Sequence, residues 1–336
     1  MGQSPDSDSY NDNEDGIPFF QGNADFGEKY PTTRKWCNAP TKIAHAEDIL
    51  ISVRAPIGAL NYAKEECCIG RGLAAITPNQ DKVSSGFIYW LLKGKHKELN
   101  LQGTGSTFKA ISRKVLEEIK VPDIELKKQT ELAGSLEKVY SVIQLRKQQL
   151  EELDILIKAR FVEMFGDPIQ NEKNWSRRSL EQLCHSIVDC PHSTPNYISE
   201  DTGFMCIRTS VVKKNKILWD EIEYIFEDEF NQRIQRKRPE KGDIVYTREG
   251  AILGIAAIID RNCNVALGQR SMLLSPDSSV CTSEFICTAM NSDSFLSNAL
   301  RGISGSASPH INVGDIKSFE MIAPPLELQR KFSEFN

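Results

Sequence analysis

Between residues 132 and 164 the apolar positions step by four and three: Leu132, Leu136, Val139, Ile143, then Leu150, Leu153, Ile157 and Met164, with Arg146 and Arg160 on the two steps that fail. That period places them along one face of a helix, and a stripe sustained this long is a seam that wants a partner helix. Neither Gly nor Pro interrupts residues 135–165, and Gly166-Asp167-Pro168 then supplies a helix stop. The pattern predicts a helix over residues 127–165, which is 39 residues or roughly 58 Å. Few single cores need so long a helix. It reads as a spacer whose packing face is Leu136, Val139, Ile143, Leu150, Leu153 and Ile157.

On either side of that helix the pattern changes to short apolar runs cut by Gly and Pro, and the runs occur twice. Residues 46–58, which include Asp48-Ile49-Leu50-Ile51-Ser52-Val53-Arg54, return as residues 241–254 with Asp243-Ile244-Val245-Tyr246-Thr247-Arg248. Residues 69–78 return as 267–276, and Gly105-Ser106 with Ile111 returns as Gly305-Ser306 with Ile311. The offset grows from 187 (Gly16 to Gly203) to 195 (Asp48 to Asp243) and 200 (Gln129 to Gln329), too long a period for a solenoid, whose repeats run about 20–50 residues. Each copy predicts strands first (49–53 and 73–76; 244–248 and 272–274) and helices after (87–92 and 112–119; 285–290 and 313–319). Residues 1–15 read as a polar loop, and residues 175–183 as a strand that opens copy two.

A chain of 336 residues exceeds what one core usually serves, which agrees with two domains. No apolar run is long enough to span a bilayer and no charged-then-apolar leader opens the chain, so a cytoplasmic location is expected. Nine cysteines form an odd set without a CxxC pair, against both a disulfide framework and a zinc site. Cys184, His185, Cys190 and His192 cluster in sequence, but their spacing matches no closed metal site. The net charge of −5 is unevenly spread. Residues 1–50 carry nine acids against four bases, and residues 51–130 thirteen bases against eight acids, so a locally basic face can meet a polyanion.

Signs of catalysis are missing. Gly94-Lys95 lacks the remaining residues of a phosphate loop, no GxGxxG joins a strand to a helix, and no GxSxG or HExxH places the five histidines usefully. Pro122-Asp123 with Glu125 and Lys127 spells a compressed PD…ExK, yet nuclease carboxylates of that kind come from separate strands and converge on one ion. No catalytic or metal-binding residue is expected.

The polar residues at matching places in the two copies are of another kind. Arg54 and Arg248 each end a strand-like run, Arg71 and Arg270 sit in paired Gly-bearing turns, and Gln21 and Asn23 occupy the place of Arg208 and Ser210. Lys109 closes the loop 103–109, mirrored by the loop 304–310 that ends in His310. Arg to guanine, Gln or Asn to adenine, and Lys to phosphate are what such side chains do on DNA. The loops agree in place but not in identity, as expected of two readers of different short sequences.

Several stretches carry a family resemblance: Met1-Gly2-Gln3-Ser4-Pro5; the run 16–27; Asp48 to Arg54; the run 324–332; and above all residues 150–168, which end in Phe161-Val162-Glu163-Met164-Phe165-Gly166-Asp167-Pro168. Together they resemble the DNA-specificity (S) subunits of type I restriction-modification systems, over nearly the whole chain. The resemblance implies an α/β (mixed α+β) fold in which two similar target recognition domains are joined by a long coiled-coil-type helix. The domains would be 1–126, incomplete at its N-terminus, and 169–325, with a conserved helical spacer at 127–168 and the start of a truncated second spacer helix at 326–336. It implies a non-catalytic subunit that reads a bipartite target on double-stranded DNA. Methyltransferase (M) subunits would methylate adenine with S-adenosylmethionine, and restriction (R) subunits would use ATP and Mg, so no cofactor is expected on this chain. Self-association through the spacer helix and residence in a prokaryotic cytoplasm are also expected. The alternative is a stand-alone or fused restriction endonuclease component.

Overall fold

The computed structural model describes residues 1–105, 109–301 and 309–335. The chain divides into two compact units, residues 1–147 and 148–336. Helix α4, defined below, begins in the first and ends in the second.

Unit 1 holds strands β1 (Tyr10–Asn11), β2 (Ile17–Phe20), β3 (Trp36–Cys37), β4 (Ile43–Ala44), β5 (Ile49–Ser52), β6 (Leu60–Tyr62), β7 (Cys67–Ile69) and β8 (Leu73–Ile76). Its helices are α1 (Ser85–Gly94), α2 (His96–Leu101), α3 (Arg113–Glu117) and the first part of α4 (Leu126–Phe165). One sheet runs β1-β3-β2-β7-β4 and the other β6-β5-β8. Residues 1–15 are not wholly loop, because Tyr10 and Asn11 pair with Cys37 and Trp36. Strand β5 is buried on both faces. Ile49, Ile51 and Val53 point into a core with Phe87, Ile88 and Leu92 of α1, while Leu50 packs with Phe20, Ile69 and Leu73 on the other side. The unbroken apolar run 49–51 follows from that two-sided burial.

Unit 2 continues with β9 (Arg177–Ser179), α5 (Leu180–Leu183), β10 (Cys184–Asp189), β11 (Met205–Ile207), β12 (Val212–Lys213), β13 (Lys216–Ile217), β14 (Glu223–Tyr224), α6 (Glu227–Arg233), β15 (Ile244–Thr247), β16 (Ala256–Ile258), β17 (Val265–Leu267) and β18 (Ser271–Pro276). Then come α7 (Ser283–Met290), α8 (Asp293–Ala299), α9 (Val313–Lys317), β19 (Glu320–Ile322) and α10 (Leu326–Phe335). The expected opening strand over 175–183 is strand only at β9, which pairs with β19. At Ser179 a capping box with Gln182 starts a short helix instead.

The duplication is visible in the pairing. β2 lies parallel to β7 and β11 parallel to β17. β5 sits between β6 and β8, as β15 sits between β16 and β18. Ser52 Oγ accepts from Ala59 N at 2.9 Å and Thr247 Oγ1 from Ile255 N at 2.9 Å. The turns that follow both need a residue of positive φ, Gly58 at +86° and Gly254 at +79°. Gln129 and Gln329 show the same correspondence. Each is buried, accepts from the backbone N–H of the residue capping an earlier helix (Ser84 before α1 at 2.9 Å, Thr282 before α7 at 3.0 Å) and donates to a carbonyl just before its own helix (Ile124 at 2.7 Å, Pro324 at 2.8 Å).

The predicted helix exists, one residue longer at its start. Leu136, Val139, Ile143, Leu150 and Leu153 on its seam are all exposed, at 46–62% of their surface. Ile157 differs, since it packs on the core of unit 2 with Met164. Phe161 and Phe165, off the heptad stripe, are buried there against Phe285 and Phe332. Ile157, Phe161 and Phe165 are spaced by four, so at this end a different face of the helix is covered.

Candidate nucleic-acid interface

In unit 1 the exposed polar residues gather where β2, β5 and the β7–β8 turn end together. Gly70 N donates to Phe20 O at 2.8 Å, Gly72 N to Gln21 O at 3.1 Å, and Val53 N to Gly72 O at 2.9 Å. Gln21, Arg71 and Arg54 therefore stand on adjoining backbone segments. Arg54 bridges to Ala110 and Ala55 N donates to Lys109 O at 3.0 Å, which brings Lys109 to the same edge. Arg54, Arg71 and Lys109 are exposed, and none forms an ion pair among the described residues. Asn23 opens a short 3-10 turn whose Asp25 carboxylate holds Gln21 N at 2.8 Å. Ser106 to Phe108 of the predicted loop lie outside the described residues.

Unit 2 repeats the frame with other side chains. Gly268 N donates to Ile207 O at 2.8 Å and Arg248 N to Arg270 O at 3.1 Å. This puts Arg208 at the place of Gln21, as the repeat predicts. The other matches shift by one. The backbone bonds of Val53, to Gly72 O and from Ile111 N, recur at Arg248, to Arg270 O and from Ile311 N. Arg248 thus replaces Val53, Glu249 replaces Arg54, Gln269 replaces Arg71 and Arg270 replaces Gly72. His310 bridges Glu249 as Ala110 bridges Arg54, so His310 corresponds to Ala110 and Lys109 to Pro309. Residues 302–308 of that loop lie outside the described residues.

The shift changes what Arg248 can do. It is 6% exposed, and its guanidinium makes two bonds to Asp189, Nε to Oδ1 at 2.9 Å and Nη2 to Oδ2 at 3.1 Å. The expectation that Arg248 contacts DNA fails, because neighbouring strand residues face opposite ways and position 248 faces inward. Arg208 is exposed but engaged, lying 4.7 Å over the Tyr197 ring and paired with Glu223. Arg270, at φ +70°, is half exposed with Glu249 3.9 Å away. His310 is exposed. The described face of unit 2 is therefore largely charge-compensated, whereas that of unit 1 leaves three cations for an outside anion.

Several residues of these faces carry no motif signal: Ser4, bonded to the Gln21 amide at 3.0 Å; Asp189; Glu223; Glu249; and Arg233, buried at 7%, whose Nη2 donates to Ser193 O at 2.9 Å. Glu249 could have been found by aligning the aspartates, Asp48 on Asp243, and counting forward. Among the described residues no three His, Cys, Asp or Glu stand together as metal ligands. No helix there is long and apolar enough to cross a membrane.

The model of the type I restriction modification DNA specificity domain matches the chain twice, over residues 1–154 and 172–335. A Methanocaldococcus jannaschii protein, provisionally named the MjaX specificity subunit of a type I restriction enzyme, is 43% identical over 154 residues, 46% of this chain and 36% of that one. The EcoBI specificity subunit of Escherichia coli is 20% identical over 317 residues, 85% of this chain and 65% of the relative. The chain thus spans about one third to two thirds of these relatives. The crystal structure of a type I restriction-modification system S subunit from M. genitalium is similar with a TM-score of 0.56 at 15% identity, covering 99% of this chain and 84% of that one. This last likeness concerns the fold.

Proposed function

The chain belongs to the family of type I restriction modification DNA specificity domains, and from that premise we propose that each unit reads one short stretch of duplex DNA. The observation that carries this reading is the contrast between a common frame and unlike outward side chains. At equivalent positions unit 1 presents Gln21, Arg54, Arg71 and Ala110, and unit 2 presents Arg208, Glu249, Gln269 and His310. Arg addresses guanine, Gln adenine, and Glu the amino group of cytosine, so the two sets suit two different half-sites. Two copies of a catalytic centre would instead keep the same reactive groups.

The chain then acts as a specificity subunit. Methyltransferase subunits supply S-adenosylmethionine chemistry on adenine, restriction subunits supply ATP- and Mg-dependent cleavage, and α4 spaces the two readings. The exposed stripe Leu136, Val139, Ile143, Leu150 and Leu153 serves as a seat for a further helix. A comparison within the chain supports this use. Phe332 on α10 corresponds to Leu132 on α4 and is fully buried beside Phe161 and Phe165, while Leu132 is 37% exposed.

The test is co-expression with adenine methyltransferase subunits in a host lacking that methylation, followed by mapping of methylated adenines. A bipartite motif is the expected result, and exchange of residues 176–336 for those of a relative should change one half of it. Methylation without a motif, or a motif indifferent to the exchange, refutes the proposal.

A further inference from the structure

In unit 1 the segment 2–4 lies along the β7–β8 turn: Gly2 N donates to Leu73 O at 2.8 Å and Gln3 N to Ile69 O at 3.0 Å. The fit is close, since a Cβ on Gly2 would come within 2.2 Å of Gly70 O. At its end Ser4 Oγ receives Arg71 N at 3.4 Å and bonds the Gln21 amide. In unit 2 Cys190 N donates to Ser271 O at 3.2 Å, and Ser271 occupies the register position of Leu73. Cys190 therefore takes the place of Gly2 beside the turn, and His192 follows two residues later.

Resting on the DNA-reading role proposed above, we infer that His192 is a specificity-determining residue of unit 2, with Asp189 as the residue that positions it. Asp189 Oδ2 lies 3.1 Å from His192 Nε2. The carboxylate cannot swing, because the buried Arg248 guanidinium holds both of its oxygens. Arg248 is in turn fixed through its backbone to Arg270 and Ile311. Arg236 Nη1 adds a bond to Asp189 O at 3.3 Å. An imidazole that donates Nε2–H to such a carboxylate is set in tautomer and ring plane, and its Nδ1 remains an acceptor. The side chain is 68% exposed, which leaves room for a partner. In the major groove an acceptor pairs with the amino group of adenine or cytosine. Arg270 and the Thr194–Gln269 pair, at 3.2 Å, flank it on neighbouring segments. Asp189 and Arg248 act behind the surface, and His192 meets the base.

The inference is tested with the full chain and a pool of duplex oligonucleotides of randomised sequence, by sequencing the bound fraction. The wild-type chain should select two half-sites at a fixed gap. His192→Ala should reduce selectivity roughly tenfold at one position of one half-site, and leave the other half-site and the melting transition as they were. Asp189→Asn, which keeps an acceptor for Arg248 but offers His192 an amide, should loosen that same position. An unaltered motif in His192→Ala overturns the inference while the DNA-reading role stands, and so does a loss spread evenly over both half-sites. A change of other positions only in Asp189→Asn removes the positioning role. Failure of the wild-type chain to select any motif defeats the DNA-reading role itself and the inference with it.

Discussion

Replacing Asp189 and Arg248, singly and together, tests the corrected register of the two copies. The side chains are 14% and 8% exposed, and Ile311 O at 3.5 Å is what remains near the guanidinium once the carboxylate is gone. Asp189→Ala therefore strands a buried cation, which costs about 3–5 kcal/mol. Arg248→Val leaves the less buried carboxylate beside His192, for about 1–3 kcal/mol. The double variant installs at position 248 the residue that unit 1 uses at the same place, Val53, which is 2% exposed in its core. Exchanging a buried pair for apolar packing is close to neutral, so the double variant should lie within about 1 kcal/mol of the parent. The coupling in the cycle is then at least about 3 kcal/mol.

Calorimetry reads this out, at about 2–4 °C per kcal/mol for a unit of this size. Asp189→Ala should lower the unit 2 transition by roughly 10 °C and the double variant by less than about 4 °C. Unit 1 contains neither residue, so its transition is an internal reference. Additive single effects, or a double variant worse than Asp189→Ala, would show that Arg248 does not stand at a core position equivalent to Val53.

The glutamine clamps give a parallel test: Gln129→Ala and Gln329→Ala each leave a buried N–H and a carbonyl without their partner, and each should destabilise its own unit by about 2–4 kcal/mol, seen as one shifted calorimetric transition. In DNA binding followed by anisotropy across a salt series, Lys109→Ala should reduce the log–log salt slope by about one, whereas Arg54→Ala and Arg71→Ala should relax base preference more than the slope; an unchanged slope in Lys109→Ala would contradict its use on phosphate. Burial pushes the thiols of Cys67, Cys184, Cys206 and Cys281 up to about 12 from 9.0. Their protonated form is favoured in the folded state, so their contribution is complete below pH 9.0 and is lost as pH rises towards 12. Denaturant titrations should show stability falling in that window, and replacing Cys281 by Ala should flatten the fall.

Periodicity made the long helix legible because apolar positions stepping from Leu132 to Met164 admit few other readings, and the strand runs could be seen because each copy vouched for the other. What periodicity missed has physical causes. Phe161 and Phe165 fall off the heptad stripe because their partners are Phe285 and Phe332 of a domain core and not a parallel helix. Gln129 and Gln329 stood out only as a matching pair, since nothing in the pattern shows that their amides close backbone groups buried under them. Gly2 and Cys190 occupy the same place beside the turn through backbone bonds alone, so a comparison of residue types could not connect them.

The mismatch at Arg54 and Arg248 follows from the same limitation. Aligning arginine on arginine joined a side chain that faces out to one that faces in, and one residue of register on a strand is the difference between surface and core. With the strands in register, position 53 and its equivalent 248 govern rigidity, by apolar packing in unit 1 and by a buried ion pair in unit 2. Positions 54 and 249, with opposite charges, face outward and are the ones the proposed DNA-reading role assigns to bases. Separation of those two tasks onto alternate faces of one strand lets the outward residue vary without disturbing the frame. It is also why a substitution at Glu249 should alter base preference at little cost in stability, while one at Arg248 alone should cost stability and act on base preference only through Asp189 and His192.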